Sequence, residues 1–370
     1  MSDYAVQLLT KMLEIYSPSG HEEEISFFLA EEMEKLGFQV KRDNVGNVIG
    51  EIGNGSPVIL LCGHMDTVPG FIPVQKRNNY LYGRGATDAK ASLAAIIAAS
   101  SIFVNKGESA KIIVAGVVDE EGTSKGVKNL LNDGVKADYA FFGEPSGVEK
   151  ITIGYKGDLR LKITCKTGSG HSAAHWLFES AVERAIEIWR EIQKIHFPVE
   201  KPRSHFYSVD SCLTKIEGGK GNSTVPSTCK IYVDFRIPPP LSTDQVFREV
   251  CKVVDNYQKA KPKVSVEVKI KDSVEPFETD SNSLPVRALL RAIREVRHKS
   301  ALLMRKTGTG DMNIFGRATC IPVVTYGPGD PALSHTGNEH VDIQEFVDSI
   351  KVYRKAIHHL MRMHCDKNSR

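Results

Sequence analysis

Five short segments of this chain offer histidine and carboxylate side chains; three directly follow an apolar run, and a fourth lies a short loop beyond one. Gly63-His64-Met65-Asp66 follows the run 58–62, Asp119-Glu120-Glu121-Gly122 follows 112–118, and Gly143-Glu144-Pro145 follows 139–142. The run 321–326 leads through Gly327-Pro328-Gly329-Asp330 to Ser334-His335-Thr336. Asp88 lies in the glycine-bearing loop Gly83-Arg84-Gly85-Ala86-Thr87-Asp88, just before a helical stretch. One histidine after a strand is usually an ordinary loop or core residue. A glutamate pair there usually belongs to a helix N-terminus, where acids favour the dipole. Five such segments at one sheet edge point instead to a shared site.

The ligand types narrow the chemistry. Two histidines and three carboxylates, without cysteine, fit a catalytic rather than a structural zinc site. Three carboxylates exceed what one four-coordinate ion usually takes. A shared carboxylate between two ions roughly 3.5–4 Å apart is the usual hydrolytic arrangement. Zinc is the first expectation, and cobalt or manganese also suit such mixed N/O donors. His64 and Asp66, two residues apart on an extended segment, face the same side. Asp66 is therefore expected to bond the ring nitrogen of His64 that does not bind metal. Of the adjacent Glu120 and Glu121, one is expected to be a ligand and the other the general base on the bridging water.

The elements that must position these groups are of two kinds. The four doubly apolar runs suit strands covered on both faces, with helices between them at 91–104 and Lys125–Asn132. This predicts an α/β domain with a mostly parallel sheet, whose ligands bind beyond the carboxyl ends of the strands. The middle of the chain alternates with period two at 159–166, 230–236 and 264–271, which indicates antiparallel strands with one wet face. Helices are expected near 177–195 and at Thr243–Ala260, and loops at 201–204 and 238–241. The sequence thus predicts a metal-binding catalytic domain, 1–155 and 273–370, interrupted by a smaller α+β domain at 156–272.

Composition sets outer limits. The chain has 370 residues, 41% hydrophobic and 25% charged, which suits two folded domains rather than a disordered chain. The net charge of +3 comes without the basic, aromatic-interleaved stripe that nucleic-acid binding normally requires. The seven cysteines form no C-x-x-C pair and read as reduced, mostly buried thiols of a cytoplasmic protein. The N-terminus lacks an export pattern, and no apolar run approaches the roughly 18 residues of a membrane helix. A serine or cysteine hydrolase is not expected, and Cys62, inside an apolar run, reads as a small core residue.

In the motifs GHMDTVP at 63–69, GRGATDAKAS at 83–92, DEEG at 119–122, GEPSG at 143–147 and SHTGNEHVDI at 334–343, the chain resembles the M20 family of metallopeptidases and deacylases. The resemblance covers nearly the whole chain, with the motifs in the family's order. It implies that His64 and Glu144 hold one metal, Glu121 and His335 the other, and that Asp88 bridges them. Glu120 would be the general base, with Asp66 behind His64. The implied fold is a catalytic domain interrupted by a lid that commonly dimerises. His171, in Gly168-Ser169-Gly170-His171-Ser172, matches a histidine that enters the partner's active site and helps stabilise the oxyanion. Read without the family, His171 would merely cap the following helix. Asn222 and Arg236 match lid positions that contact the substrate carboxylate, and Thr309 lies in a loop placed against the substrate.

Within the family the chain looks most like the deacylases that release lysine or ornithine from the C-terminal glutamate of a small acidic carrier protein. These are often labelled acetyl-lysine or acetylornithine deacetylases. Tyr155, in Gly154-Tyr155-Lys156-Gly157, replaces the arginine expected of succinyl-diaminopimelate desuccinylases. Aminoacylases and dipeptidases share the whole metal site and remain alternatives. So does a non-catalytic protein that keeps the fold and the metals, although an intact ligand set and base argue against it. The expected partners are an acylated amino acid, free or carrier-linked, and a second copy of the chain.

Overall fold

The computed structural model describes residues 2–107, 109–198 and 204–368. It divides into two compact units: Met1–Gly154 with Thr279–Arg305 and Gly310–Arg370, and Tyr155–Glu278 with Lys306–Thr309.

The first unit is built on a mixed sheet. Its central strands, Lys111–Val117, Val58–His64, Tyr139–Gly143 and Val323–Tyr326, lie side by side and parallel. These are the four doubly apolar runs, and nearly every residue in them is buried, as a sheet covered on both faces requires. Antiparallel strands flank them: Val48–Ile52 and Gln39–Arg42 on one side, Lys150–Tyr155 on the other. The fold class is α/β, with parallel pairing at the centre of a mixed sheet.

Helix Lys90–Ser100 is apolar all round and wholly buried, the pattern of a core helix. It packs on strand Val58–His64 and on helices Ser2–Glu14 and Ile343–Asn368. The expected helix at 91–104 ends at Ser100, and a 3-10 turn, Ser101–Phe103, closes it before the chain extends at Val104. Helix Lys125–Asn132 follows the second central strand. A small antiparallel ribbon joins Gln75–Arg77, Tyr80–Tyr82 and His340–Asp342.

The second unit is a four-stranded antiparallel sheet ordered Asp210–Gly218, Thr228–Ile237, Gly157–Lys166 and Ser265–Val274. Helices Ala181–Ile192 and Thr243–Ala260 pack on the face carrying Leu159, Leu161, Ile163, Ile231, Val233 and Phe235. Period-two alternation places these residues together. The first helix starts later than expected because Ser180 caps it, accepting from the Glu183 N–H. The residues before it, Ser172–Leu177, form a separate 3-10 segment. The unit extends beyond the expected end at 272 because strand Ser265–Val274 stays paired to Asp158 through Val274. Residues 238–241 form a turn, as expected; of the expected loop at 201–204, residues 201–203 lie outside the described residues.

Among the described residues no helix is long and apolar enough to cross a membrane. None of the seven cysteines is in a disulfide, but only Cys62, Cys165 and Cys229 are buried. The others lie on an edge strand, at helix ends or on a helix flank, where no core encloses them.

Candidate active site

The four central strands run in one direction, so their carboxyl ends open on one edge. His64 is the last residue of its strand and is 1% exposed. Its Nε2 lies 3.3 Å from Asp88 Oδ1 and 3.6 Å from Glu144 Oε1. His335, half-exposed and held in the left-handed region at φ 63°, lies 3.4 Å from Asp88 Oδ2 and 2.7 Å from Glu121 Oε1. Asp88 therefore stands between two imidazoles, one carboxylate oxygen towards each. Three groups of possible ligands result: His64–Asp88–Glu144, Asp88–Glu121–His335 and His64–Glu120–Glu121, each with its atoms within 4.8 Å.

These spacings fit metal ions. Donors bonded at about 2.0–2.2 Å to one tetrahedral ion stand roughly 3.4 Å apart. The contacts of 3.3, 3.4 and 3.6 Å fall at that separation. The 2.7 Å contact between His335 and Glu121 has the length of a charged hydrogen bond.

The electrostatics point the same way. Burial, then the neighbouring Glu144 carboxylate, pushes Glu120 well above the usual carboxylate range. Burial and Asp88 likewise raise Glu121. Burial opposes protonation of His64, but the surrounding carboxylates, Glu144 foremost, outweigh it and raise its pKa well above the usual value. The hydrogen bond to Asp88 is the main cause that lifts His335 to about 9. Asp88 moves the other way: burial raises it, and its bonds to His335 and His64 more than reverse that. The clustered carboxylates thus draw positive charge to the rings, which divalent cations would supply in their place.

Asp66 is fully buried and serves as a hub. The main-chain carbonyl of Asp66 meets His64 Nδ1 at 2.9 Å, nearer than its carboxylate at 3.5 Å. The carboxylate accepts from the Ser19 hydroxyl at 2.7 Å and from the N–H groups of Glu120 and Glu121 at 3.0 and 3.1 Å. Its main work is to fix the peptide that carries those two glutamates. The sequence pattern did not single out Ser19, since a serine in a Ser-Pro-Ser-Gly turn carries no distinguishing signal. Asp311 was also missed: it is 4% exposed, and burial lifts it to about 7. Its neighbour Gly310 borders Glu120, so a Cβ at Gly310 would stand 3.3 Å from Glu120 Oε1.

The first unit therefore brings together His64, Asp66, Asp88, Glu120, Glu121, Glu144 and His335. His171, Asn222, Arg236 and Thr309 belong to the second unit. His171 is exposed, and its Nδ1 accepts from the Ala173 N–H at 3.1 Å, which caps the 3-10 segment. Asn222 is exposed on a loop, and Thr309 is half-buried. Arg236 donates from Nε and Nη2 to Asp234 at 2.9 and 3.0 Å, which fixes its guanidinium plane.

A site of histidines and carboxylates at parallel strand ends, with spacings that suit divalent ions, fits a metal-dependent hydrolase. The sequence matches Peptidase family M20/M25/M40 over residues 60–359, and the chain belongs to that family. It is 37% identical to a protein of Pyrococcus furiosus named putative [LysW]-lysine/[LysW]-ornithine hydrolase, over 95% of this chain and 96% of that one. The [LysW]-lysine/[LysW]-ornithine hydrolase of Sulfurisphaera tokodaii is 34% identical, over 96% and 95% of the two chains. Among solved structures, the aminopeptidase PepT of Bacillus cereus shares the fold with a TM-score of 0.81 at 22% identity, over 97% of this chain and 99% of that one.

Proposed function

We propose that the protein releases lysine or ornithine from an N-acylated precursor, carrier-protein-linked or N-acetyl, by hydrolysing the amide bond. The observation that carries the chemistry is Asp88, with one oxygen towards each histidine. The substrate class rests on the full-length likeness to enzymes named for LysW-linked lysine and ornithine. Tyr155, buried at 5% exposure, offers no cation to a succinyl diacid, which favours this reading over a desuccinylase.

In this reading His64 and Glu144 would hold one ion and Glu121 and His335 the other, with Asp88 between the two pairs. Zinc suits the donors best, with cobalt or manganese as substitutes. When bound, such ions supply Lewis acidity and lower the pKa of water. Glu120 does the proton work: it takes the proton of the attacking water and returns it to the leaving amine nitrogen. Asp66 holds Glu120 in place through its N–H. His171, supplied by a second copy of the chain, donates to the oxyanion of the tetrahedral intermediate, and the active unit is a dimer. Asn222 and Arg236 contact the substrate's carboxylate, and Thr309 lies in a loop against the substrate.

The test is a release assay with zinc or cobalt on acetylornithine, acetyllysine, succinyl-diaminopimelate and a carrier-linked lysine. The expected result is preference for the lysine and ornithine substrates. Strong preference for the succinyl diacid would overturn the substrate assignment.

A further inference from the structure

Two of the proposed ligands sit on loops that leave adjacent strands. Strand Tyr80–Tyr82 pairs antiparallel with His340–Asp342, with Tyr82 opposite His340. Asp88 ends the loop after the first strand, and His335 begins the loop before the second. Beyond the last pair, the Gly83 N–H donates to the Glu339 carbonyl at 3.3 Å. The Glu339 side chain, 1% exposed, then turns into the other loop.

There its Oε1 accepts from three N–H groups: Gly85 at 3.0 Å, Thr87 at 2.9 Å and Asp88 at 2.8 Å. Its Oε2 accepts from Arg84 Nη1 at 2.8 Å. The same Nη1 donates to the carbonyl of Thr336, next to His335, at 3.0 Å, and Arg84 Nε donates to the Gly70 carbonyl at 2.8 Å. A buried carboxylate is costly unless paired and bonded, and this one has four donors. The converging N–H groups form an anion nest whose anion is a side chain of the facing loop. The nest requires Gly85 at φ +89°, where a Cβ would also stand 2.9 Å from the Lys90 side chain.

We propose that Glu339 is a positioning residue: its carboxylate is the template on which the main chain of 85–88 folds, and with Arg84 it fixes Asp88 and His335 in one arrangement before any ion binds. The proposal rests on the reading of Asp88 and His335 as metal ligands. Ion affinity then depends on a side chain that touches neither ion.

The experiment uses Glu339→Gln in the full chain. Glutamine keeps one acceptor oxygen but sets an NH2 donor against donors, so it cannot satisfy both sides of the nest. In chelator-treated protein, the segment holding 85–88 should exchange its amide hydrogens faster, while segments of the central strands keep their wild-type rates. Zinc affinity, measured against a competing chelator, should fall about 10- to 100-fold, the usual cost of losing an outer-sphere partner. If Glu339→Gln fails to fold, Arg84→Lys loses the guanidinium fork but keeps the charge, and should loosen 334–339 with the same loss of zinc affinity. Wild-type exchange at 85–88, or wild-type zinc affinity, overturns the proposal. So does a lowered melting temperature with both readouts unchanged. An Asp88→Asn control separates the two failures. If it loses zinc while Glu339→Gln does not, Glu339 alone is misassigned; if neither loses zinc, the ligand reading fails first.

Discussion

Glu120→Gln isolates the proton-transfer step. The substitution keeps size and shape beside Gly310, and the hydrogen bond from the Glu120 N–H to Asp66 does not involve the side chain. The peptide carrying Glu121 should therefore stay in place, and both ions should bind. A general base contributes roughly 100- to 10,000-fold to rate. At about 1.36 kcal/mol per tenfold, that loss corresponds to roughly 2.7–5.5 kcal/mol of transition-state stabilisation. The metal-free protein should shift the opposite way. Burial and Glu144 disfavour the charged carboxylate of Glu120, so a neutral amide relieves that cost and the chelator-treated variant should melt no lower than wild type. The assay is steady-state release of the amino acid by zinc-loaded enzyme, with metal content measured on the same sample. The loss should fall on kcat rather than KM, the signature of a group acting in the transition state. Turnover within about tenfold of wild type, with both ions present, would refute the role of Glu120.

The charges, one helix cap and the proposed dimer each make further predictions. In metal-free protein His335 titrates near 9 and His64 is raised, whereas ligand imidazoles must be neutral. Zinc uptake near neutral pH should then release protons, read by calorimetry in buffers of different ionisation heat; no net release would contradict the assignment. Because the folded pKa of His335 is raised, its contribution to apo stability is complete below about pH 6.5 and is lost as pH rises through about 9. Zinc affinity should rise across that same window. Ser242 and Gln245 form a capping box on helix Thr243–Ala260, so Ser242→Ala should lower stability in denaturant melts by about 1 kcal/mol, and an unchanged midpoint would show the cap to be idle. His171→Ala and Glu120→Gln should each be inactive alone, yet a mixture that exchanges subunits should regain activity, because one hybrid site receives both groups; no recovery in verified hybrids would remove His171 from the partner's site.

Much of the fold was legible because its strands obey simple burial rules. The runs at 58–62, 112–118, 139–142 and 321–326 are apolar on both faces, and the structure aligns all four in parallel at the sheet centre. His64, Glu120, Glu121 and Glu144 follow three of these runs directly, so strand direction gathers them at one edge. Elements without such patterning were not legible. Asp210–Gly218 is an exposed edge strand whose sequence, DSCLTKIEG, lacks clean alternation. The ribbon strands Gln75–Arg77, Tyr80–Tyr82 and His340–Asp342 are three residues each, too short for a period to register. The helix expected from 177 begins at Ala181: Trp176, Leu177 and Phe178 are 72, 66 and 36% exposed, and the Ser180 cap sets the boundary. The role of Glu339 depends on main-chain N–H groups about 250 residues away in sequence, which no local spacing reveals.

Whether Asp88 joins two ions can be read from anomalous diffraction by crystals of zinc-loaded protein. Two zinc peaks roughly 3.5–4 Å apart, with one Asp88 oxygen bonded to each, are the predicted result. A single peak, or two peaks with Asp88 bonded to only one, would rule out a bridging Asp88.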